Sequence, residues 1–484
     1  MLFPALKSGS AERTALAFPD RSLSFAQLDA AASAVAAELA GCARVAVLAE
    51  PRIETCVAVV GALVAGVPAI PVNPRSGTAE LGHVVGDADP EVVALAGDTA
   101  VPQALRDRRQ LVIDLDVTAD ADDHLRSAAP ESGLSGDAPA LIVYTSGTTG
   151  PPKGSVMPRR AISSNLDALA QVWNWTERDV VAHALPLFHV HGLVIGILGP
   201  IRRGGTARHL GRFSPQAVHD ALSADATMLF GVPTMYRRLA DAATDSPPLA
   251  AALGRARLLV SGSAALPASE HARLRELTGR GVVERYGMTE TLMNTAVHAD
   301  APPAPGTVGP PLPGVQLRLV DDDGDEIEPH DDETIGEIQV RGPNLFLGYL
   351  NRAEATAAAM RDGWFRTGDM ATRTAEGYIR IVGRRATDLI KSGGYKIGAG
   401  EIEACLRDHP AVQEAAVTGA PDDDLGERVV AWVVLYPGAE ADETILIDHV
   451  AGQLAPHKRP RDVHFLDELP RNELGKVQKQ RLAG

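Results

Sequence analysis

Cysteine is scarce in this chain, positive charge is in deficit, and the one long apolar stretch is too short to cross a bilayer. The three cysteines, Cys42, Cys56 and Cys405, are widely spaced and show no metal-ligand pattern. They read as small buried hydrophobes in a reducing compartment, which points to the cytoplasm. The formal net charge of −16 argues against a nucleic-acid surface and against an anionic membrane as partner. No obligate protein partner is evident. An anionic small molecule would have to be met by a local cluster of Arg, Lys or His, because the global field opposes it. The nearly apolar stretch from Cys56 to Val72 falls about a turn short of the ~20 residues a span requires, and Pro68 and Pro71 break its end. It reads as a buried helix running into a strand. Met1-Leu2-Phe3-Pro4 shows no basic region leading into an apolar core, so no secretory signal is expected.

At 484 residues the chain exceeds what one core usually supports, so at least two domains are expected. Its hydrophobic share of 45% and charged share of 22% are ordinary for a soluble globular protein. Ser24-Phe25-Ala26-Gln27 has the spacing of a helical capping box. Leu28, Ala31, Ala32, Val35 and Leu39 follow at helical spacing, and Gly41 is the predicted stop. Strands are predicted at 45–48, 69–70, 92–95 and 111–113, alternating with helices. That pattern predicts an α/β fold with a largely parallel sheet. The polar, acidic stretch from Asp120 to Ala138 reads as a surface connection leading into the next apolar run, Ala140-Leu141-Ile142-Val143.

After that run comes Tyr144-Thr145-Ser146-Gly147-Thr148-Thr149-Gly150-Pro151-Pro152-Lys153-Gly154. Glycine lets a backbone approach a ligand closely and turn its N–H groups toward it. Ser and Thr add hydroxyl donors, and Lys153 adds a point charge. The set suits a polyphosphate; composition alone also fits a flexible Gly/Ser/Thr loop. It is not a P-loop, since no Ser or Thr follows Lys153. The stretch resembles the signature loop of the acyl-adenylate-forming superfamily: acyl-CoA synthetases, adenylation domains and firefly-luciferase-like enzymes. Later motifs extend the resemblance over most of the chain. It implies that Thr145, Ser146, Gly147, Thr148, Thr149, Gly150 and Lys153 hold the β- and γ-phosphates of ATP.

Leu185-Pro186-Leu187-Phe188-His189-Val190-His191-Gly192 sets two histidines in an apolar turn. By itself such a histidine is more often hydrogen-bonded core than ligand, and no third metal ligand is near in sequence. The resemblance assigns this turn to the acyl pocket, with His189 as a pocket residue and His191 as structural. Phe230 to Tyr236 is similar to a segment that walls that pocket. Leu258 to Ala264 ends in small residues, and Gly262 and Ser263 resemble the turn that binds adenine. In Glu284-Arg285-Tyr286-Gly287-Met288-Thr289-Glu290 the resemblance implies that Tyr286 stacks on adenine, Thr289 reaches a phosphate and Glu290 helps hold Mg²⁺. One carboxylate is chemically sufficient for a cation carried on phosphates; without the motif Glu290 would read as a helix N-terminal charge. Arg285 departs from many relatives, which have a small residue there. In the acyl pocket it would be an unpaired buried charge unless the substrate brings a second carboxylate, gripped bidentately with help from His189. The other reading is an ion pair with an acidic side chain of the protein itself. Together with Gly394-Tyr395-Lys396-Ile397-Gly398, Arg285 matches the malonyl-CoA synthetase branch of the superfamily.

The acidic segment from Asp321 to Glu333 lacks Ca²⁺-loop spacing and reads as a solvated hairpin tip. Asp369 and Arg384 match two ribose contacts. Between Arg384 and Lys391 the chain is expected to pass between domains. Residues 1–384 would form a large ATP- and acyl-binding α/β domain, and 385–484 a small mobile α+β domain, with the hinge near 385–390. Four residues, Arg385 to Asp388, precede Leu389 where many relatives have three, so Thr387 and Asp388 are both hinge candidates. Gly393, Gly394 and Tyr395 resemble the loop bordering the pantetheine tunnel of coenzyme A, a plain Gly turn being the alternative. Lys476 matches the lysine that bridges the substrate carboxylate and the α-phosphate, so Lys476, Glu290 and Thr289 are the catalytic candidates. The implied activity is synthesis of malonyl-CoA, with methylmalonyl-CoA a further candidate, from the diacid, ATP and coenzyme A through an acyl-AMP intermediate. A CoA ligase for another short acid and a stand-alone adenylation enzyme loading a carrier protein are the alternatives.

Overall fold

Residues 1–7, 11–115, 133–145, 151–302, 304–385, 388–393, 395–471 and 477–482 are described by a computed structural model, Lys396 by its backbone only. The capping box forms as spaced: the Gln27 amide donates to Ser24 Oγ, and the Ser24 amide donates to the Gln27 side chain. The helix it opens, Phe25–Glu38, stops short of Gly41, which instead turns the chain in the left-handed region at φ +82°. The stretch checked for membrane length is the buried helix Ile53–Ala65 followed by the buried strand Ala69–Val72. Gly61 lets that helix close on its neighbour, since a β-carbon there would lie 2.6 Å from Val35. Among the described residues no helix is long and apolar enough to cross a membrane.

The predicted strands join a seven-stranded sheet in the order 348–349, 153–158, 139–145, 69–72, 45–48, 92–96, 109–113. Pairing is parallel from 139–145 to 109–113, and antiparallel across the other two strands. Strands covered by helices on both faces are buried throughout, which is why Val45–Leu48 and Ala69–Val72 read as unbroken apolar runs. A second, eight-stranded sheet runs 292–296, 282–288, 258–261, 228–231, 180–183, 206–209, 14–17, 22–24. It is parallel except at its two edges.

The fold class is therefore α/β with largely parallel sheets. A five-stranded antiparallel sheet is added by residues 316–384, of which the sequence had indicated only the acidic hairpin between Gln316–Val320 and Gly336–Arg341. Beyond it, the mostly antiparallel sheet of residues 389–465 carries helices Ala399–Arg407 and Glu443–Gln453. This last unit has an apolar core of its own, including Ile390, Ile397, Ile402, Leu406, Val417 and Val429.

Candidate active site

Four neighbouring parallel strands, Val180–His183, Met228–Gly231, Leu258–Ser261 and Val282–Met288, end at one edge of the eight-stranded sheet. The chain leaving those ends carries His189 and His191, the Phe230–Tyr236 wall, Gly262 and Ser263, and Thr289 and Glu290. A crevice outside the carboxyl ends of parallel strands is where open α/β sheets hold ligands.

Side chains alternate along a strand, so Glu284 and Arg285 face opposite ways. Glu284 is 3% exposed, and its carboxylate accepts from the Leu266 amide at 3.0 Å and pairs with His271 Nε2 at 2.9 Å. Arg285, on the other face, is 5% exposed, and its Nε and Nη2 have no hydrogen-bond partner among the described residues. Its guanidinium occupies the space beside Gly262, where a β-carbon would come within 2.2 Å of Cζ. Burial pulls the Arg285 pKa down to about 10, with the charge of Glu284 opposing, so it is cationic at neutral pH. Glu284, the acid whose charge acts on Arg285, is thus engaged with His271.

The histidine held beside this charge is His191, first residue of the π-helical turn His191–Leu198. Its Nδ1 lies 3.5 Å from Ser263 Oγ, and its buried Nε2 has no partner among the described residues. Burial, reinforced by the positive charge of Arg285, holds His191 neutral, well below its ordinary pKa. His189, expected to assist Arg285, packs its ring 4.6 Å from that of Phe188, and burial pushes its pKa down to about 4. Both histidines thus stand in this turn, His191 beside Arg285 and Ser263 and His189 close enough for its charge to act on His191. Ser263 itself sits at φ +71°, a left-handed conformation uncommon for a residue with a β-carbon.

Tyr286, Asp369 and Arg384 are brought together. Tyr286 Oη donates to Asp369 Oδ2 at 2.5 Å, and Arg384 Nε pairs with Asp369 Oδ1 at 2.7 Å. The last two stand opposite each other on adjacent antiparallel strands. Glu290 is 6% exposed at the tight turn after Met288 and accepts from Tyr349 Oη at 2.8 Å. Burial raises its pKa, and that hydrogen bond opposes the rise. The Tyr349 ring faces Lys153, whose Nζ lies 4.6 Å from the ring centroid. Tyr349 escaped the sequence reading because its partners lie far off along the chain. Thr289 is partly exposed beside Glu290.

Thr145 and Lys153 are cross-strand partners at the end of a hairpin. The residues joining them, Ser146, Gly147, Thr148, Thr149 and Gly150, lie outside the described residues, as do Thr387, Gly394 and Lys476. Gly393 turns at φ +57° between the strands Leu389–Ser392 and Tyr395–Gly398. Tyr395, 55% exposed, stacks on His457 at 4.1 Å and is not drawn into the Arg285 cluster. Asp388 is bonded to Arg384 and Lys479.

Residues 5–350 match the family model described as AMP-binding enzyme, and residues 401–476 match the AMP-binding enzyme C-terminal domain. The chain belongs to the AMP-binding enzyme family. A mitochondrial malonate–CoA ligase of Mus musculus is 40% identical over 376 residues, covering 72% of this chain and 64% of that protein. A malonyl-CoA ligase solved with methylmalonyl-CoA and AMP is 59% identical, with 97% of this chain and 100% of that chain covered and a TM-score of 0.75. ATP-bound MatB from Rhodopseudomonas palustris is 37% identical over 100% of this chain and 98% of that chain, with a TM-score of 0.88. The AMP-binding family member described here is an AMP-forming acid–CoA ligase, using ATP and coenzyme A on a small-molecule acid.

Proposed function

We propose that the acid is malonate, joined to coenzyme A through malonyl-AMP with release of pyrophosphate and AMP. The observation that carries this reading is Arg285, a buried cation whose Nε and Nη2 have no partner among the described residues, with the adjacent Glu284 committed to His271. An unpaired charge out of water is costly, and a fatty or aromatic acid would leave it so. A second carboxylate on the substrate supplies the missing partner in the bidentate geometry a guanidinium favours. With Ser263 donating to Nδ1, neutral His191 offers that carboxylate a further donor at Nε2.

The adenylating step brings two anions together: a malonate oxygen attacks the α-phosphorus of ATP and pyrophosphate leaves. Tyr286 holds the base, Asp369 and Arg384 the ribose, and Lys153 with residues 145–150 the β- and γ-phosphates. Lys476 bridges the attacking carboxylate and the α-phosphate, where negative charge must be offset. The donor set fits Mg²⁺ in one respect that the chain itself provides, a single buried carboxylate at Glu290 next to the Thr289 hydroxyl. Bound there on the phosphates, the ion would neutralise charge on their oxygens. In the second step the thiol of coenzyme A attacks the mixed anhydride and AMP leaves. Gly393, Gly394 and Tyr395 border its path once residues 385–484 turn about Thr387 or Asp388 relative to 1–384. Three unbonded cysteines suit a cytoplasmic setting.

The test is AMP release with ATP, coenzyme A and each of malonate, methylmalonate, succinate, sulfoacetate, acetate and propionate. Malonate, alone or with methylmalonate, is expected to be turned over fastest. Equal or faster turnover of acetate or propionate would overturn the reading, and a preference for sulfoacetate would move it to another doubly anionic acid.

A further inference from the structure

Asp388 is gripped from both sides of the join between the two units. On one side its amide donates to the Arg384 carbonyl at 2.7 Å, and its Oδ2 accepts from the Arg384 amide at 2.9 Å. On the other, its carbonyl accepts from the Ala399 amide at 2.8 Å, and its Oδ1 accepts from Lys479 Nζ at 2.6 Å. Lys479, only 15% exposed along its side chain, also pairs at 2.5 Å with Glu403 of the helix Ala399–Arg407. One ammonium thus balances two largely buried carboxylates. The chain of contacts continues inward, because Arg384 pairs with Asp369 at 2.7 Å and Asp369 accepts from Tyr286. In sequence, Lys479 stands three residues after Lys476.

We infer that Lys479 is a positioning residue for the adenylating half-reaction, a latch that holds Asp388 and the end of the chain in the arrangement described here. The inference rests on the acid–CoA ligase reading with Lys476 as adenylating lysine and Asp388 at the hinge. The physical reason is the division of one carboxylate between two units. A turn about residue 388 cannot keep both oxygens bonded, and the bond to Lys479 crosses 91 residues of chain whereas that to Arg384 spans four. The bond that crosses the join is the one to Arg384; the bond to Lys479 lies within residues 385–484 and ties the chain next to Lys476 to the hinge. Lys479 therefore serves the first half-reaction by fixing the segment that carries Lys476 to Asp388 and Glu403, beside the join with Arg384.

The experiment uses the full chain and whichever acid the wild-type enzyme turns over best, so its outcome does not depend on the acid being malonate. Acid-dependent ATP–pyrophosphate exchange is compared with thioester formation from supplied acyl-AMP and coenzyme A. Lys479→Met should lower exchange about 10- to 100-fold while thioester formation stays within about threefold, and Lys479→Arg should restore part of the exchange. If the Met variant does not fold, Asp388→Asn carries the test. It keeps an acceptor for the Arg384 amide, loses the charge facing Lys479, and should show the same imbalance. Equal loss in both half-reactions, or exchange that survives in both variants, overturns the latch. Preference of the wild type for a monocarboxylate would overturn only the malonate reading.

Discussion

Gly262 and the Arg285 guanidinium share one volume: a β-carbon on the glycine would approach Arg285 Cζ to 2.2 Å. The end of an arginine can move, so Gly262→Ala should displace the cation without unfolding the chain. Malonate KM is expected to rise about tenfold, equivalent to ~1.4 kcal/mol, with ATP KM and Tm little changed. Steady-state kinetics for both substrates decide it. A matching rise in ATP KM would mean that Gly262 makes room for the adenine ring, the role its motif suggested, and not for Arg285.

Arg285→Ala removes one partner of a desolvated charge pair, a loss of about 2–5 kcal/mol, or tens- to thousands-fold. Malonate kcat/KM should fall by that factor while propionate holds or improves, because the empty pocket no longer carries an unpaired cation. Arg285→Lys should fall between, keeping the charge but not the planar fork. An unchanged malonate-to-propionate ratio in the Ala variant would remove the basis of the substrate assignment.

What could be read in the sequence, and what could not, divides by distance along the chain. Strands such as Val45–Leu48 announced themselves because covered parallel strands are apolar end to end, and the Ser24–Gln27 cap is complete within four residues. Arg285 stood out because it replaces the small residue that many relatives of the motif carry before the tyrosine. The contacts that were missed join residues far apart: Tyr349 to Glu290 across 59 positions, Ser263 to His191 across 72, Lys479 to Asp388 across 91. Nothing local in those side chains marks their partners. The antiparallel sheet of residues 316–384 was under-read for a related reason, since its strands alternate weakly and carry polar residues such as Glu337, Gln339 and Asp369 in buried positions.

Tyr349 holds two candidate groups at once, its hydroxyl bonded to Glu290 and its ring beneath Lys153. The two contacts can be separated. Tyr349→Phe deletes the hydrogen bond that orients Glu290 and keeps the ring, so the Mg²⁺ concentration for half-maximal rate should rise about tenfold with little change in ATP KM at saturating metal. Tyr349→Leu also removes the surface under the ammonium, and ATP KM should then rise as well. A metal titration of the Phe variant that overlays the wild type would show that the hydroxyl does not position Glu290.

Stability should fall with acid because of two buried histidines beneath the site. His209 Nδ1 accepts from the Gly211 amide and its Nε2 bonds the Leu185 carbonyl, while His183 Nδ1 accepts from the Leu185 amide. Protonation would turn each Nδ1 into a donor aimed at another N–H. Burial pushes the His209 pKa down to about 4, and it holds His183 well below the ordinary value, with His209 adding to the depression. The sign follows: the unfolded chain binds protons near pH 6.5 that the folded chain refuses, so their contribution is complete above pH 6.5 and is lost as pH falls toward 4. For His209 the loss is on the order of 3 kcal/mol over that window. Urea unfolding at a series of pH values should show stability falling with acid, and His209→Asn, which keeps an acceptor for Gly211 but cannot titrate, should flatten the slope by about one proton. An identical slope in the variant would mean that the ring takes its proton in the folded protein as readily as in the unfolded one.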